Sequence, residues 1–192
     1  MFSYFIVRNK TVDCIHEVDL IILSKGLLML IYILRHGIAA PRGVKPYPND
    51  DRPLTEEGIE KISKAARGIL RVVEDIDVIL TSPLVRAADT ARIVAEALNV
   101  ESKLQVCREL APGSSLKNLL IYLAKFKKLR SIMVVGHEPD LTYFASALLG
   151  KKTPIIEFKK GSLCCIELTT IPSRRDGVLL WHLTSKQLRL MA

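Results

Sequence analysis

The sequence predicts a single α/β domain of three layers, in which helices cover both faces of a mostly parallel central sheet. From Leu30 onward, short apolar runs alternate with longer segments whose apolar residues recur every three or four positions, as in strands that alternate with helices. The length of 192 residues suits one domain with a continuous core. Apolar residues make up 49% and charged residues 25%, a balance typical of globular rather than disordered chains.

The first strand and helix have the clearest signals. The apolar run Leu30–Leu34 predicts a buried strand, and a loop rich in proline and glycine follows it. Thr55 can then cap a helix whose first turn carries Glu56 and Glu57, where negative charge is favourable beside the positive end of the helix dipole. The apolar positions of this helix recur in steps of three and four, which predicts that it packs on the sheet; they are Ile59, Ile62, Ala66, Ile69 and Val73.

A serine and a proline join the second strand to the second helix. Val78–Leu80 predicts the strand, after which Ser82 can cap a helix with Pro83 at its first position. We expect this helix to run from about Leu84 to Leu98 and to end at Asn99, which tolerates left-handed backbone geometry.

The remaining elements continue the alternation of strands and helices. We expect, in order, a short strand at Lys103–Val106, a helix at Leu116–Lys127 that starts after Ser114 or Ser115, a strand at Ile132–Val135, a helix at Leu141–Leu149 that stops at Gly150, strands at Leu163–Leu168 and Val178–Leu183, and a tail helix at Ser185–Met191.

Residues 1–28 differ from the rest of the chain. They contain two short apolar runs, SYFIV and DLIIL, without a turn or helix signal that joins them to the next element, and Met29 stands directly before the first predicted strand. We therefore divide the chain into an N-terminal extension, residues 1–28, and a domain, residues 29–192. The extension is interpreted as an appendage or the product of an upstream start; an added edge hairpin is the alternative.

The net charge and its distribution along the chain indicate which classes of partner to expect. Lys and Arg number 28 against 20 Asp and Glu, and the net charge of +8 favours an anionic partner. The basic residues are scattered, without an arginine-rich arm or an aromatic-studded ribbon, so we do not expect nucleic acid. No segment reaches the roughly 20 apolar residues of a membrane span, and no signal-peptide layout appears, so we expect no membrane partner.

The four cysteines form no CxxC pair and no metal-ligand spacing; they are Cys14, Cys107, Cys164 and Cys165. Because Cys164 and Cys165 are adjacent in a predicted strand, they should face opposite sides of the sheet. We expect packing thiols in a reducing cytosol, and therefore a cytoplasmic protein without a metal site.

Polar residues follow three of the predicted strands, and the carboxyl ends of such strands are where open α/β sheets bind ligands. Arginine presents a planar fork that contacts two phosphate oxygens at once, and histidine can act as a nucleophile. A single arginine or histidine in such a place is more often an ordinary surface residue. The occurrence of several of them at one sheet edge, however, favours a phosphoryl-binding site. The residues are Arg35 and His36 after the first strand, Thr81, Ser82 and Arg86 after the second, and His137 and Glu138 after the strand at Ile132–Val135.

Four motifs occur in order along the chain: LRHG at Leu34–Gly37, RPLTEEG at Arg52–Gly58, TSPLVRAADTA at Thr81–Ala91 and VVGHEPDL at Val134–Leu141. With them, the chain from about Met29 to its end resembles the histidine phosphatase superfamily, which also contains the cofactor-dependent phosphoglycerate mutases. The stretches KKGSLCCIEL and LLWHLT are similar to the final strands of the compact SixA-type phosphohistidine phosphatases. The resemblance implies a phosphoglycerate mutase-like fold and a histidine phosphatase domain at residues 29–192.

The resemblance also implies a role for each residue at the sheet edge. His36 would attack phosphorus and carry the phosphoryl group until water releases it. Arg35, Arg86 and His137 would bind the three phosphoryl oxygens and balance the charge of the transition state. No metal and no other cofactor is implied, because these groups supply the charge that magnesium supplies in other phosphoryl-transfer sites. Nearby arginine charge should also favour the neutral, nucleophilic form of His36.

The proton donor is expected in the motif E-x-x-x-G of larger relatives, which ELAPG at Glu109–Gly113 matches. An acid or base must reach the leaving group, so Glu109 is the candidate donor; an ordinary surface residue is the alternative. The small apolar residues Ile38, Ala39 and Ala40 after the RHG motif are similar to those of compact phosphohistidine-type members. The segment from Val106 to Ile132 is too short for the lid helices of larger mutases, which implies an open, shallow pocket able to admit a protein side chain.

Three interpretations of the function follow. The leading one is a phosphatase that acts on phosphohistidine of a phosphorylated protein, such as a histidine phosphotransfer domain. The second is a phosphatase or mutase for small phosphate esters such as sugar phosphates or phosphoglycerate. The third, a non-catalytic phosphate-binding module, is disfavoured because the nucleophile and its cationic neighbours are all intact.

Overall fold

A computed structural model describes residues 28–43, 47, 51–169, 171 and 177–192 of the chain. Its six strands form one sheet in the order β3-β2-β4-β1-β5-β6. β1 to β4 are mutually parallel, β5 runs antiparallel to β1, and β6 runs antiparallel to β5, so the predicted mostly parallel sheet is confirmed. The strands are β1 (Met29–Arg35), β2 (Val78–Thr81), β3 (Leu104–Val106), β4 (Ser131–Gly136), β5 (Leu163–Leu168) and β6 (Val178–Leu183).

Helices cover both faces of this sheet, which confirms the three-layer class. Along β1, Ile31 and Ile33 face one core cluster together with α3 and α4, and Tyr32 and Leu34 face a second cluster with α1, α2 and α5, because successive strand residues point to opposite faces. The helices are α1 (Glu56–Ile69), α2 (Val85–Leu98), α3 (Leu116–Leu123), α4 (Asp140–Leu148) and α5 (Ser185–Leu190), with 3₁₀ turns at Glu101–Lys103, Arg108–Leu110 and Ala124–Phe126.

The helix starts show one confirmed prediction and one wrong one. The Thr55 hydroxyl caps α1 by accepting a hydrogen bond from the Gly58 amide at 3.0 Å. The predicted cap of α2 is wrong: the helix begins at Val85, and its N-cap residue is Leu84, which makes no side-chain cap hydrogen bond. The end of α2 is confirmed, since Asn99 adopts left-handed backbone angles with φ 56° and ψ 43°.

The prediction that Cys164 and Cys165 face opposite sides of the sheet is confirmed. Cys164 packs in the cluster with α3 and α4, and Cys165 packs in the opposite cluster, so the pair faces both sides of the sheet. Burial raises the pKa of Cys107 and of Cys165 to about 12, which keeps both thiols protonated and unreactive. Predictions for residues 1–27, Cys14 among them, lie outside the described residues. No helix within the described ranges is long and apolar enough to cross a membrane.

Candidate active site

Backbone hydrogen bonds between neighbouring strands bring the two histidine-containing turns together. Arg35 is the last residue of β1 and lies opposite Gly136, the last residue of the parallel strand β4. The His36 amide continues this ladder by donating to the Gly136 carbonyl at 3.2 Å. His36 and His137 therefore leave the sheet side by side, and their rings lie 5.0 Å apart between centroids.

The imidazole of His36 is oriented by two different neighbours. Its Nδ1 lies 2.7 Å from the Gly37 carbonyl oxygen, and because a carbonyl only accepts, Nδ1 carries the proton. Its Nε2 then has a lone pair, which accepts from Arg86 Nε at 3.3 Å. Burial, then the nearby charge of His137, Arg86 and Arg35, lowers the pKa of His36 to about 3, so the ring is neutral at physiological pH.

Arg86 reaches His36 from the first turn of α2. Its side chain is only 2% exposed, and α2 can approach the sheet closely because Ala87 and Ala91 are fully buried beside it. A buried guanidinium is costly unless it is paired, and it keeps its charge at every accessible pH. The fold thus holds a fixed positive charge against the unprotonated nitrogen of His36.

Ser82 orients the second histidine rather than capping a helix. Its hydroxyl lies 2.8 Å from His137 Nε2 and also accepts from the Leu84 amide at 3.3 Å. Ser82 is fully buried and His137 is 3% exposed. The hydroxyl that the sequence assigns to a helix cap is therefore part of the site, and the predicted cap is wrong because the helix begins only at Val85, so that the amide Ser82 reaches is that of the N-cap residue Leu84.

Arg35 enters the cluster from β1 and is held by a segment that the sequence did not single out. Its Nη1 donates to the Phe158 carbonyl, while Glu138 accepts from the Phe158 amide at 3.2 Å. Arg35 Nε is buried without a hydrogen-bond partner among the described residues. Burial raises the pKa of Glu138, and the charge of Arg35 acts in the opposite direction.

Glu109 lies beside this cluster, at the wall of a cavity of about 300 Å³. Its carboxylate accepts from the Cys107 thiol at 3.4 Å, and its side chain is partly exposed. His137 lines the same cavity, so the candidate proton donor and the second histidine share one open space. The lining residues are Glu109, Leu110, Ser114, Ser115, Leu116, Leu119, His137, Asp140, Leu141 and Tyr143.

Thr90, like Phe158, is a residue of the site that sequence reasoning missed. Its hydroxyl accepts from the Gly37 amide at 3.0 Å and donates to the Arg86 carbonyl at 2.7 Å. Thr90 lies four residues after Arg86 on α2, on the same face of the helix. That spacing is the signal that could have indicated it; Phe158 has no comparable local signal.

The cluster contains no cage for a cation. Within the ranges that the structure describes, no three His, Cys, Asp or Glu side chains lie close enough to hold a metal ion. What the site does offer is a guanidinium donor from Arg86 against His36 and a His137 ring 5.0 Å from that of His36, groups of the kind that bind a tetrahedral anion.

Comparison with known proteins shows the family of the chain. A family model of the histidine phosphatase superfamily (branch 1) matches residues 31–111. An uncharacterized protein of Picosynechococcus sp. is 37% identical over 139 residues, which cover 70% of this chain and 82% of the relative. The phosphohistidine phosphatase SixA of Escherichia coli is 26% identical over 164 residues, 84% of this chain and 98% of that protein. The solved structure of the protein histidine phosphatase SixA complexed with tungstate superposes with a TM-score of 0.71 at 26% identity, covering 83% of this chain and 99% of that one.

Proposed function

Because the chain belongs to the histidine phosphatase superfamily and is a phosphatase, we propose that it hydrolyses phosphohistidine on a protein through a covalent phosphoryl intermediate on His36. The observation that carries this proposal is the state of His36. Its Nδ1 donates to the Gly37 carbonyl, its unprotonated Nε2 accepts from Arg86, and the ring of His137 lies 5.0 Å away between centroids. A neutral imidazole with a free lone pair is what attack on phosphorus requires.

The reaction proceeds in two displacements. In the first, His36 Nε2 attacks phosphorus, a P–N bond forms, and the bond to the leaving group breaks, with its electron pair passing to the departing nitrogen or oxygen. In the second, water attacks phosphorus and the P–N bond breaks, which releases orthophosphate and a proton and restores the lone pair on Nε2. A cationic or hydrogen-bond-donating group beside each negatively charged oxygen lowers both barriers.

Arg35, Arg86 and His137 bind the phosphoryl oxygens in this proposal. Arg86 Nε donates to His36 Nε2 in the structure, and that hydrogen bond is given up when the same lone pair bonds to phosphorus. The guanidinium is then already beside the incoming oxygens. Arg35 contributes the Nε donor that has no partner among the described residues.

The cavity next to His137 receives the leaving group. Its ten lining residues include the carboxyl side chains Glu109 and Asp140 and no lysine or arginine. A carboxylate on the substrate, as in phosphoglycerate, would face these two acidic side chains without a cation in the cavity lining to pair with. An uncharged ring such as imidazole suits the leucine side chains of this lining, so the cavity favours phosphohistidine over phosphoglycerate.

Glu109 acts as the proton donor to the leaving group. It reaches the same cavity as His137, which supports this assignment. A departing imidazole needs less assistance than an alkoxide, because it is the weaker base.

Initial rates on three substrates test the proposal: a phosphohistidine-bearing protein domain, p-nitrophenyl phosphate and phosphoglycerate. We expect turnover of the first two and little of the third, and we expect His36→Ala to abolish both activities. A preference for phosphoglycerate would overturn the assigned substrate class. Retention of activity in a folded His36→Ala variant would overturn the assignment of His36 as the nucleophile.

A further inference from the structure

The buried face of α2 carries a threonine that the helix itself does not need. Six side chains of this helix are buried, and Arg86 and Thr90 are the polar ones among them. Threonine is a weaker helix former than alanine, and a hydroxyl bonded to the carbonyl four residues earlier slightly destabilises the helix. Ala87, Ala91 and Ala95 fill comparable buried positions without a hydroxyl. The reason for Thr90 therefore lies outside the helix.

The partner of that hydroxyl is the flexible residue next to His36. Gly37 donates its amide hydrogen to Thr90 Oγ1 at 3.0 Å, and its carbonyl accepts from His36 Nδ1 at 2.7 Å. A Cβ at position 37 would lie 3.2 Å from Leu54 Cδ2, so the leucine side chain would have to move by a few tenths of an ångström to admit it. Packing thus favours glycine at position 37. Glycine is also the residue with the greatest backbone freedom, and movement of this backbone would take the carbonyl away from the His36 imidazole.

We propose that Thr90 is a positioning residue, which fixes the Gly37 backbone so that His36 keeps its proton on Nδ1 and its lone pair on Nε2. The hydroxyl closes a chain of hydrogen bonds from His36 through Gly37 to the carbonyl of Arg86. The buried Thr90 hydroxyl oxygen therefore fixes the position of His36 relative to the α2 backbone that carries Arg86. This inference rests on the proposed function, in which Nε2 must be unprotonated to attack.

The consequence of losing the hydroxyl follows from the chemistry of imidazole. If the Gly37 carbonyl moves away, the ring proton on Nδ1 loses its acceptor, and only the hydrogen bond from Arg86 Nε still opposes a proton on Nε2, where it would block attack on phosphorus. Displacement of the reacting atom by about 1 Å adds a loss of up to about 100-fold in rate. Substrate binding changes less, because the side chains of Arg35, Arg86 and His137 are untouched.

Three variants test the proposal. Thr90→Val keeps the shape and removes the hydroxyl, Thr90→Ser keeps the hydroxyl, and Ser146→Ala is the matched control. Ser146 lies on α4, is 1% exposed and accepts from the Ile155 loop amide at 3.1 Å, so its loss costs a similar buried hydrogen bond elsewhere. We expect kcat of Thr90→Val on p-nitrophenyl phosphate to fall about 10- to 100-fold with KM nearly unchanged, and both other variants to stay within about threefold of the original chain.

Nitrogen-15 NMR of the histidine side chains supplies a readout that does not depend on activity. We expect the His36 proton on Nδ1 in the original chain and in Thr90→Ser, and a shift of that proton toward Nε2 in Thr90→Val. If valine prevents folding, Thr90→Ala replaces it, since alanine favours the helix and cannot overpack the site.

The two readouts separate failure of this inference from failure of the proposed function. An unchanged tautomer and unchanged kcat in Thr90→Val would overturn the positioning role, as would a loss of kcat matched by Ser146→Ala or accompanied by an unchanged tautomer. If the original chain turned over no phosphorylated substrate, the proposed function would fail, and the tautomer comparison would still decide the role of Thr90.

Discussion

Protonation of His36 couples the stability of the protein to pH, and the size of the effect follows from its surroundings. The folded protein lowers the pKa of His36 to about 3, whereas an unfolded chain has the ordinary histidine value of about 6.5. Between these two values the unfolded state binds more protons than the folded state, so stability is lost as the pH falls from about 6.5 toward 3. At about pH 5 the linkage relation gives a loss of about 2 kcal/mol from this one residue.

Comparison of the original chain with His36→Asn isolates that contribution. Urea unfolding at about pH 8 and about pH 5 gives the change in unfolding free energy for each protein, and we expect this change to be about 2 kcal/mol smaller in the variant. In thermal unfolding the same difference corresponds to roughly 4 to 8 °C for a chain of this size. An equal pH dependence in the two proteins would refute the reasoning, because it would show that burial beside His137 and Arg86 does not resist protonation of His36.

Three further predictions concern activity and domain organisation. Arg86→Ala should lower kcat about 100- to 1,000-fold without unfolding. The control Arg92→Ala, which removes a largely exposed arginine of the same helix, should leave kcat unchanged. Equal effects of the two variants in steady-state assays would show that Arg86 does not bind the phosphoryl oxygens. Glu109→Gln should slow hydrolysis of an alkyl phosphate about 100-fold and of phosphohistidine much less, because only the alkoxide needs a strong proton donor; an equal loss on both substrates would contradict a donor role. We also propose that residues 29–192 form the histidine phosphatase domain and residues 1–28 an extension, so deleting residues 1–28 should shift Tm by less than about 2 °C, and a loss of several degrees by calorimetry would favour the edge hairpin instead.

Elements whose signals are local could be predicted from the sequence. Leu163–Leu168 and Val178–Leu183 have the predicted bounds, because each apolar run is closed by turn residues on both sides. The predicted helix Leu116–Lys127 is α-helical to Leu123 and continues as a 3₁₀ turn to Phe126. Helical periodicity does not distinguish these two forms over so short a segment.

The parts of the site that depend on contacts distant in sequence could not be predicted in the same way. The positions of Arg35, His36, Arg86 and His137 at one sheet edge follow from strand ends, which the sequence does reveal. The hydrogen bonds of Ser82 to His137, Thr90 to Gly37 and Arg35 to Phe158 join residues 53 to 123 positions apart. Such pairings are set by how the layers pack, and no periodicity or local motif encodes them.

The most direct test of the account is to trap the phosphoryl group on the protein. Brief incubation with a substrate labelled in its phosphoryl group, rapid quenching at alkaline pH and peptide mapping locate the label. We expect an acid-labile phosphoramidate on His36 Nε2, which is lost as water hydrolyses it during turnover and which never forms in His36→Ala. Label on another residue, or rapid turnover through direct attack of water with no labelled protein at any time, would contradict it.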